Sequence, residues 1–117
     1  LTGLTELNLA LNQITNISAI RELRNLSKLI LSYNNIKKIA ALKGLKKLEK
    51  LNLNFNQIQD ISALRELIKL DNLNLKNNQI DDISILKENI SINLNKAQLS
   101  YKMAVRILQN FKNLSVP

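Results

Sequence analysis

A 22-residue internal repeat constrains this sequence more than any other feature. Leucines recur at this spacing at Leu4, Leu26, Leu48 and Leu70. Taking each of them as position one, every copy also has leucine at positions four and six, asparagine at position nine and isoleucine at position eleven. A unit of this length cannot bury its own leucines, so neighbouring units must stack and share one apolar core.

The spacing within each repeat predicts its local structure. Leu7 and Leu9 alternate with period two, which places both side chains on one side of a short strand. Ile17, Ile20 and Leu23 lie three residues apart, as in a tight helical or 3₁₀ turn. The sequence therefore predicts one strand and one turn per repeat, with the strands side by side in a parallel sheet. Serines precede the predicted turns and are candidate N-caps, namely Ser18, Ser62 and Ser84.

The pattern L-x-x-L-x-L-x-x-N-x-I resembles the leucine-rich repeat in its short form, over residues 1–99. It is similar to the intracellular type of phosphatase-1 regulatory subunits and axonemal dynein light chains, and to the bacterial internalin type. The resemblance implies an α/β repeat solenoid, a curved leucine-rich-repeat array. A parallel β-sheet would line the concave face, short 3₁₀ or helical turns the convex face, and a helical cap the C-terminal end.

We predict a single leucine-rich-repeat domain over residues 1–117. Tyr101, Lys102 and Val105 fit the cap motif of the intracellular type, so we interpret the amphipathic segment after residue 100 as a cap rather than a partner-binding helix. Because residues 1–3 match the end of a preceding repeat, we expect the chain to be the C-terminal part of a longer array. The predicted units are residues 1–3, repeats 4–25, 26–47, 48–69 and 70–88, and a last degenerate repeat with the cap at 89–117.

The composition argues against catalysis. The 117 residues include no cysteine and no histidine, which removes thiolate and imidazole ligands and the commonest general base. The chain also lacks an apolar run long enough to span a membrane. We therefore predict no enzyme activity, no catalytic residue, no metal, no cofactor, no small-molecule substrate and no membrane insertion.

The outward side of the strands is the candidate binding surface. Positions three, five and seven point away from the buried leucines. Position eight adds a row of apolar residues, Leu11, Tyr33 and Phe55, suited to a protein partner. Alternatively, the two aromatic rings pack sideways against adjacent turns. The predicted concave-face contacts are Lys28, Ile30, Tyr33, Lys50, Asn52, Asn54, Phe55, Asn72, Asn74 and Lys76.

Position nine carries asparagine in each repeat. We predict that these amides form a structural ladder, in which each satisfies backbone groups of its own turn and of the neighbouring one. The alternative is that they contact a ligand. The ladder residues are Asn12, Asn34, Asn56 and Asn78.

The net charge of +8 is uneven, because residues 26–47 contain six lysines and no acid. A basic patch can steer acidic partners, including nucleic acid. Lys37 and Lys38 follow the strand, however, whereas Lys43, Lys46 and Lys47 lie on the convex and return side. We interpret these lysines as a solvated face that does not converge on one groove with stacking aromatics, so nucleic acid is disfavoured.

These features predict a non-catalytic protein–protein interaction module, a scaffold or regulatory subunit that binds one protein partner on its concave face. The identity of the partner is open, and we expect a monomeric, intracellular protein, cytoplasmic or nuclear. One alternative is an internalin-like adhesion protein on a bacterial cell surface. Another is a basic adapter that binds nucleic acid or another acidic partner.

Overall fold

The computed structural model describes residues 2–82 and 84–85. Four three-residue strands form one parallel sheet in the order β1-β2-β3-β4. Each strand follows the repeat's first leucine, and each crossover contains a short turn. The strands are β1 (Glu6–Asn8), β2 (Lys28–Ile30), β3 (Lys50–Asn52) and β4 (Asn72–Asn74).

The strand register reproduces the sequence repeat. Leu7 pairs with Leu29, Leu29 with Leu51, and Leu51 with Leu73. Leu29, Leu51 and Leu73 are buried in one continuous core. Leu7, on the outer strand of the described sheet, is half-buried against it. The predicted parallel sheet, one strand per repeat with leucines inward, is confirmed.

Three of the four position-nine asparagines bridge successive repeats, whereas Asn12 donates to carbonyls of its own repeat, those of Leu9 and Ala10. The Oδ1 of Asn34 accepts the backbone N–H of Ile14 at 3.0 Å, in the preceding repeat. Its Nδ2 donates to the carbonyls of Leu9, in the preceding repeat, and of Leu31 in its own, both at 3.0 Å. Asn56 and Asn78 repeat the same bonds one and two repeats further along. These amides satisfy backbone groups that the turn would otherwise bury without partners.

Three 3₁₀ helices lie on the opposite side of the core and pack against one another in sequence. They are η1 (Ser18–Glu22), η2 (Ala40–Leu42) and η3 (Ser62–Glu66). The described turns thus match the short 3₁₀ turns predicted for the convex face.

The serines at the start of these turns are not N-caps, contrary to the sequence prediction. Ile17 and Ile61 occupy the cap positions of η1 and η3 and make no side-chain cap bond. The serine N–H groups instead donate to a side-chain oxygen two residues earlier. The donor and acceptor pairs are Ser18 to Asn16, Ser62 to Asp60 and Ser84 to Asp82, at 2.8–2.9 Å.

Repeat two departs from this arrangement. Lys38 stands where the neighbouring repeats have asparagine or aspartate, and Ala40 stands in place of serine. Without that acceptor, η2 has three residues, whereas η1 and η3 have five. The predicted degenerate repeat and helical cap at 89–117, with Tyr101, Lys102 and Val105, lie outside the described residues.

Candidate functional site

The sheet face presents positions three, five and seven of each repeat. At position five, the Oδ1 atoms of Asn8, Asn52 and Asn74 accept the backbone N–H two residues later, at 3.0–3.1 Å. The side-chain oxygens of the predicted contacts Asn52 and Asn74 therefore each already accept a hydrogen bond at the end of their own strand. Ile30 takes this position in repeat two and adds an apolar, half-buried side chain to the face.

Position eight has an unusual backbone conformation in all four described repeats. The φ angles of Leu11, Tyr33, Phe55 and Asn77 are 60°, 58°, 55° and 58°. Asparagine tolerates this left-handed region, but a bulky side chain there is strained. Three of the four repeats thus carry an unfavourable residue at a turn that glycine or asparagine would suit better.

The strained side chains are also exposed to solvent. Leu11 is 76% exposed, Tyr33 47% and Phe55 41%. The rings of Tyr33 and Phe55 stack on each other, with centroids 4.5 Å apart and planes 12° from parallel. The two interpretations of these aromatics therefore combine, because the rings pack sideways on each other across adjacent repeats and still present a large surface to solvent. We call Leu11, Ile30, Tyr33 and Phe55 the apolar column.

Lysines lie on the same face as the apolar column. Lys28 and Lys50 are register partners on neighbouring strands, an arrangement that sets like charges side by side. Glu6 pairs with Lys28 on its other side, and Lys76 extends the face beyond β4. A cationic row therefore runs beside the apolar column.

The amides at the centre of the face complete the predicted set. Asn72 is exposed at the start of β4 and pairs in register with Lys50. Asn54 is half-buried, and its Oδ1 atom is buried without a hydrogen-bond partner among the described residues. All ten predicted contact residues lie on three consecutive repeats, from repeat two to repeat four.

The acidic side chains near the turns serve local structure. Bonds from the backbone N–H and hydroxyl of Ser62 hold the pKa of Asp60 below its ordinary value. Ser84 lowers the pKa of Asp82 in the same way. Within residues 2–82 and 84–85, no group of acidic, histidine or cysteine side chains is arranged to hold a metal ion. No helix in this part of the chain is long and apolar enough to cross a bilayer.

The repeat pattern and the sheet together define a leucine-rich-repeat protein. The family model described as Leucine Rich repeats (2 copies) matches residues 2–44, 24–66 and 46–88. The chain belongs to this family, as the sequence pattern indicated. Leucine-rich-repeat proteins are protein-interaction modules and are typically non-enzymatic.

Solved structures place the chain close to internalins. It is 39% identical to internalin C2 of Listeria monocytogenes over 84% of its length, with a TM-score of 0.80. An internalin F of the same organism is 38% identical over 79%, with a TM-score of 0.75. A leucine-rich-repeat protein of Leptospira interrogans is 32% identical over 84%, with a TM-score of 0.67.

The chain spans only part of each of these proteins. It covers 42% of the internalin C2 chain, 28% of the internalin F chain and 25% of the Leptospira chain. No match was found among curated proteins. The resemblance to internalins stated from the sequence is confirmed at the level of the repeat array.

Proposed function

We propose that this chain is a non-catalytic protein-binding module whose sheet face binds one protein partner through the apolar column. The observation that supports it is the combination of strain and exposure at Leu11, Tyr33 and Phe55. Bulky apolar side chains at left-handed positions cost stability, and the part of their surface that is exposed to water returns none of it. Residues of this kind collect at functional surfaces, where a partner's contacts compensate for the cost.

The charges beside the column indicate the chemistry of the partner. Lys28 and Lys50 repel each other across neighbouring strands, and a carboxylate placed between them would relieve that repulsion. The partner therefore presents an apolar or aromatic anchor for Tyr33 and Phe55, with an acidic group nearby. Asn54, Asn72 and Lys76 extend the contact to polar groups at the rim.

The test compares three baits in affinity capture. One is the wild-type chain, and the second is Tyr33→Asn with Phe55→Asn, which introduces the residue that repeat four carries as Asn77. The third, Lys37→Gln with Lys38→Asn, changes only the turn side. We expect a partner that the first and third baits retain and the second loses. Its affinity, remeasured with the purified partner by calorimetry, should fall at least about a hundredfold for the aromatic variant, as for loss of two anchors.

The result that contradicts the proposal is equal capture by all three baits. Circular dichroism of the aromatic variant provides the folding control. If that variant lost its cooperative thermal transition, the two rings would belong to the core and not to a binding surface.

A second candidate concerns where the module acts. The 39% identity to internalin C2 supports an internalin-like adhesion role on a bacterial surface. The intracellular location expected from the sequence depended on the predicted cap, which lies outside the described residues. An antibody against the chain should label intact cells as strongly as permeabilised ones if the protein is on the surface. Labelling that requires permeabilisation would favour the intracellular regulator.

A further inference from the structure

The turn side of the array contains two adjoining grooves, and none of the predicted sheet-face contacts lines either of them. One, of about 730 Å³, lies between the turns of repeats two and three, and the other, of about 500 Å³, between those of repeats one and two. Lys37, Lys38 and Ala40 line both grooves. Repeat two is therefore the ridge between them, and its side chains decide what either groove can hold.

The composition of repeat two makes these grooves basic. Gly44 stands where repeats one and three carry Glu22 and Glu66, so repeat two has no acidic side chain at this position. Lys38 replaces the acceptor that caps the neighbouring turns, and η2 is correspondingly short. Repeat two thus lacks a structural hydrogen bond at the position where it places a cation.

Cations of the other repeats complete the lining. Arg21, Lys43 and Arg65 occupy the same position in consecutive repeats, and each lines one of the grooves. Three of the lysines that the sequence prediction kept apart, Lys37, Lys38 and Lys43, line a single groove. The sequence prediction excluded a groove in which these lysines converge with stacking aromatics, and the described lining of this groove contains no aromatic ring.

The acids that line the larger groove are already engaged. Asp60 accepts the backbone N–H of Ser62 at 2.8 Å. Glu66 forms an ion pair with Lys46 at 2.8 Å, which lowers the pKa of the glutamate. Lys37 and Lys38, by contrast, form no ion pair among the described residues. The larger groove keeps a surplus of positive charge, as does the smaller one between repeats one and two.

We propose that these grooves bind an acidic polysaccharide, a chain with sulfate or carboxylate groups. The lysines and arginines complement the negative charge of such a chain, and the side-chain amides of Gln57, Gln59 and Asn35 can hydrogen-bond sugar hydroxyls. The described lining residues include no aromatic ring on which nucleic acid bases could stack.

The experiment titrates the chain with a heparin octasaccharide by calorimetry at several salt concentrations. The test variant is Lys37→Gln with Lys38→Asn, which introduces the residues that repeats three and one carry as Gln59 and Asn16. Because Lys38→Asn restores a capping acceptor, we expect this variant to fold at least as well as the wild type. The matched control is Lys28→Asn with Lys50→Asn, which removes two charges from the sheet face.

We expect the groove variant to bind about tenfold more weakly and to lose about one unit of salt slope per lysine, as for contacts to a polyanion. The control should bind as the wild type does. Equal losses in both variants would overturn the proposal, since only net charge would then matter. Tighter binding to oligothymidylate or to phosphatidylserine vesicles than to heparin would overturn it as well. Either of these two results would leave the proposed protein partner of the sheet face untouched, because that proposal is tested by a separate experiment.

Discussion

Replacing Asn56 with alanine tests the ladder at its most buried point. The side chain is 7% exposed and lies between repeats two and three. Its Oδ1 accepts the N–H of Ile36 at 3.0 Å. Its Nδ2 donates to the carbonyls of Leu31, Leu53 and Asn54 at 3.0, 3.1 and 3.3 Å. The mutation therefore removes one acceptor and two donor hydrogens.

The cost follows from which groups keep another partner. The three carbonyl oxygens each retain one donor, and these are the side chains of Asn34 and Asn78 and the backbone N–H of Tyr33. The N–H of Ile36 has no such replacement, and Ile36 is fully buried. One orphaned buried donor costs about 1–3 kcal/mol, and the weakened donor bonds add about 1 kcal/mol. We expect the free energy of unfolding to fall by about 3 kcal/mol.

Urea unfolding followed by circular dichroism measures this loss, and Asn12→Ala provides the control. The Asn12 amide donates to the carbonyls of Leu9 and Ala10 in an exposed turn, where water can replace it. We expect this control to cost less than about 1 kcal/mol. The reasoning is refuted if Asn56→Ala unfolds at the wild-type urea midpoint with an unchanged slope, or if the Asn12 control loses as much stability as the test variant.

Two further predictions concern the turns. Leu11→Asn should raise the free energy of unfolding by about 1 kcal/mol, because asparagine tolerates the φ of 60° better than leucine. The mirror change Asn77→Leu should lower it similarly, and equal midpoints would show that position eight is unstrained. Asp60 has a lowered pKa in the folded chain, so it contributes stability above the ordinary aspartate pKa of about 4 and loses it as the pH falls through the folded value. The acid decline in melting temperature should be shallower in Asp60→Asn, and parallel declines would contradict the assignment.

The sequence pattern predicted the parts of the fold that depend on burial. Leu29, Leu51 and Leu73 have no other way to leave water, so their spacing determines strand position and register. The outward positions follow from the same alternation, and the candidate contacts on the sheet face could therefore be named in advance. The 3₁₀ turns followed from the three-residue spacing of the isoleucines.

The sequence of a single repeat did not predict the backbone of its turn or the contacts between neighbouring repeats. The left-handed backbone at position eight had only one sequence signal, Asn77, because leucine, tyrosine and phenylalanine do not indicate such a turn. The grooves depend on how the turn of repeat two sits beside its neighbours. Ser18 and Ser62 are not caps because the 3₁₀ helices begin at the serines themselves, and the asparagine or aspartate two residues earlier accepts the backbone N–H of each serine.

The strict register of the strands makes whole repeats interchangeable. Removing residues 26–47 would bring Leu7 beside Leu51, so each leucine would again pair with a leucine, as both now do with Leu29. The Asn56 amide would then meet the N–H of Ile14, an equivalent of its present partner. Recombination in units of one repeat could thus shuffle the sheet-face and turn-face residues while the core stayed intact. Such an array can change its binding surface by rearranging existing units, with no new side chain required.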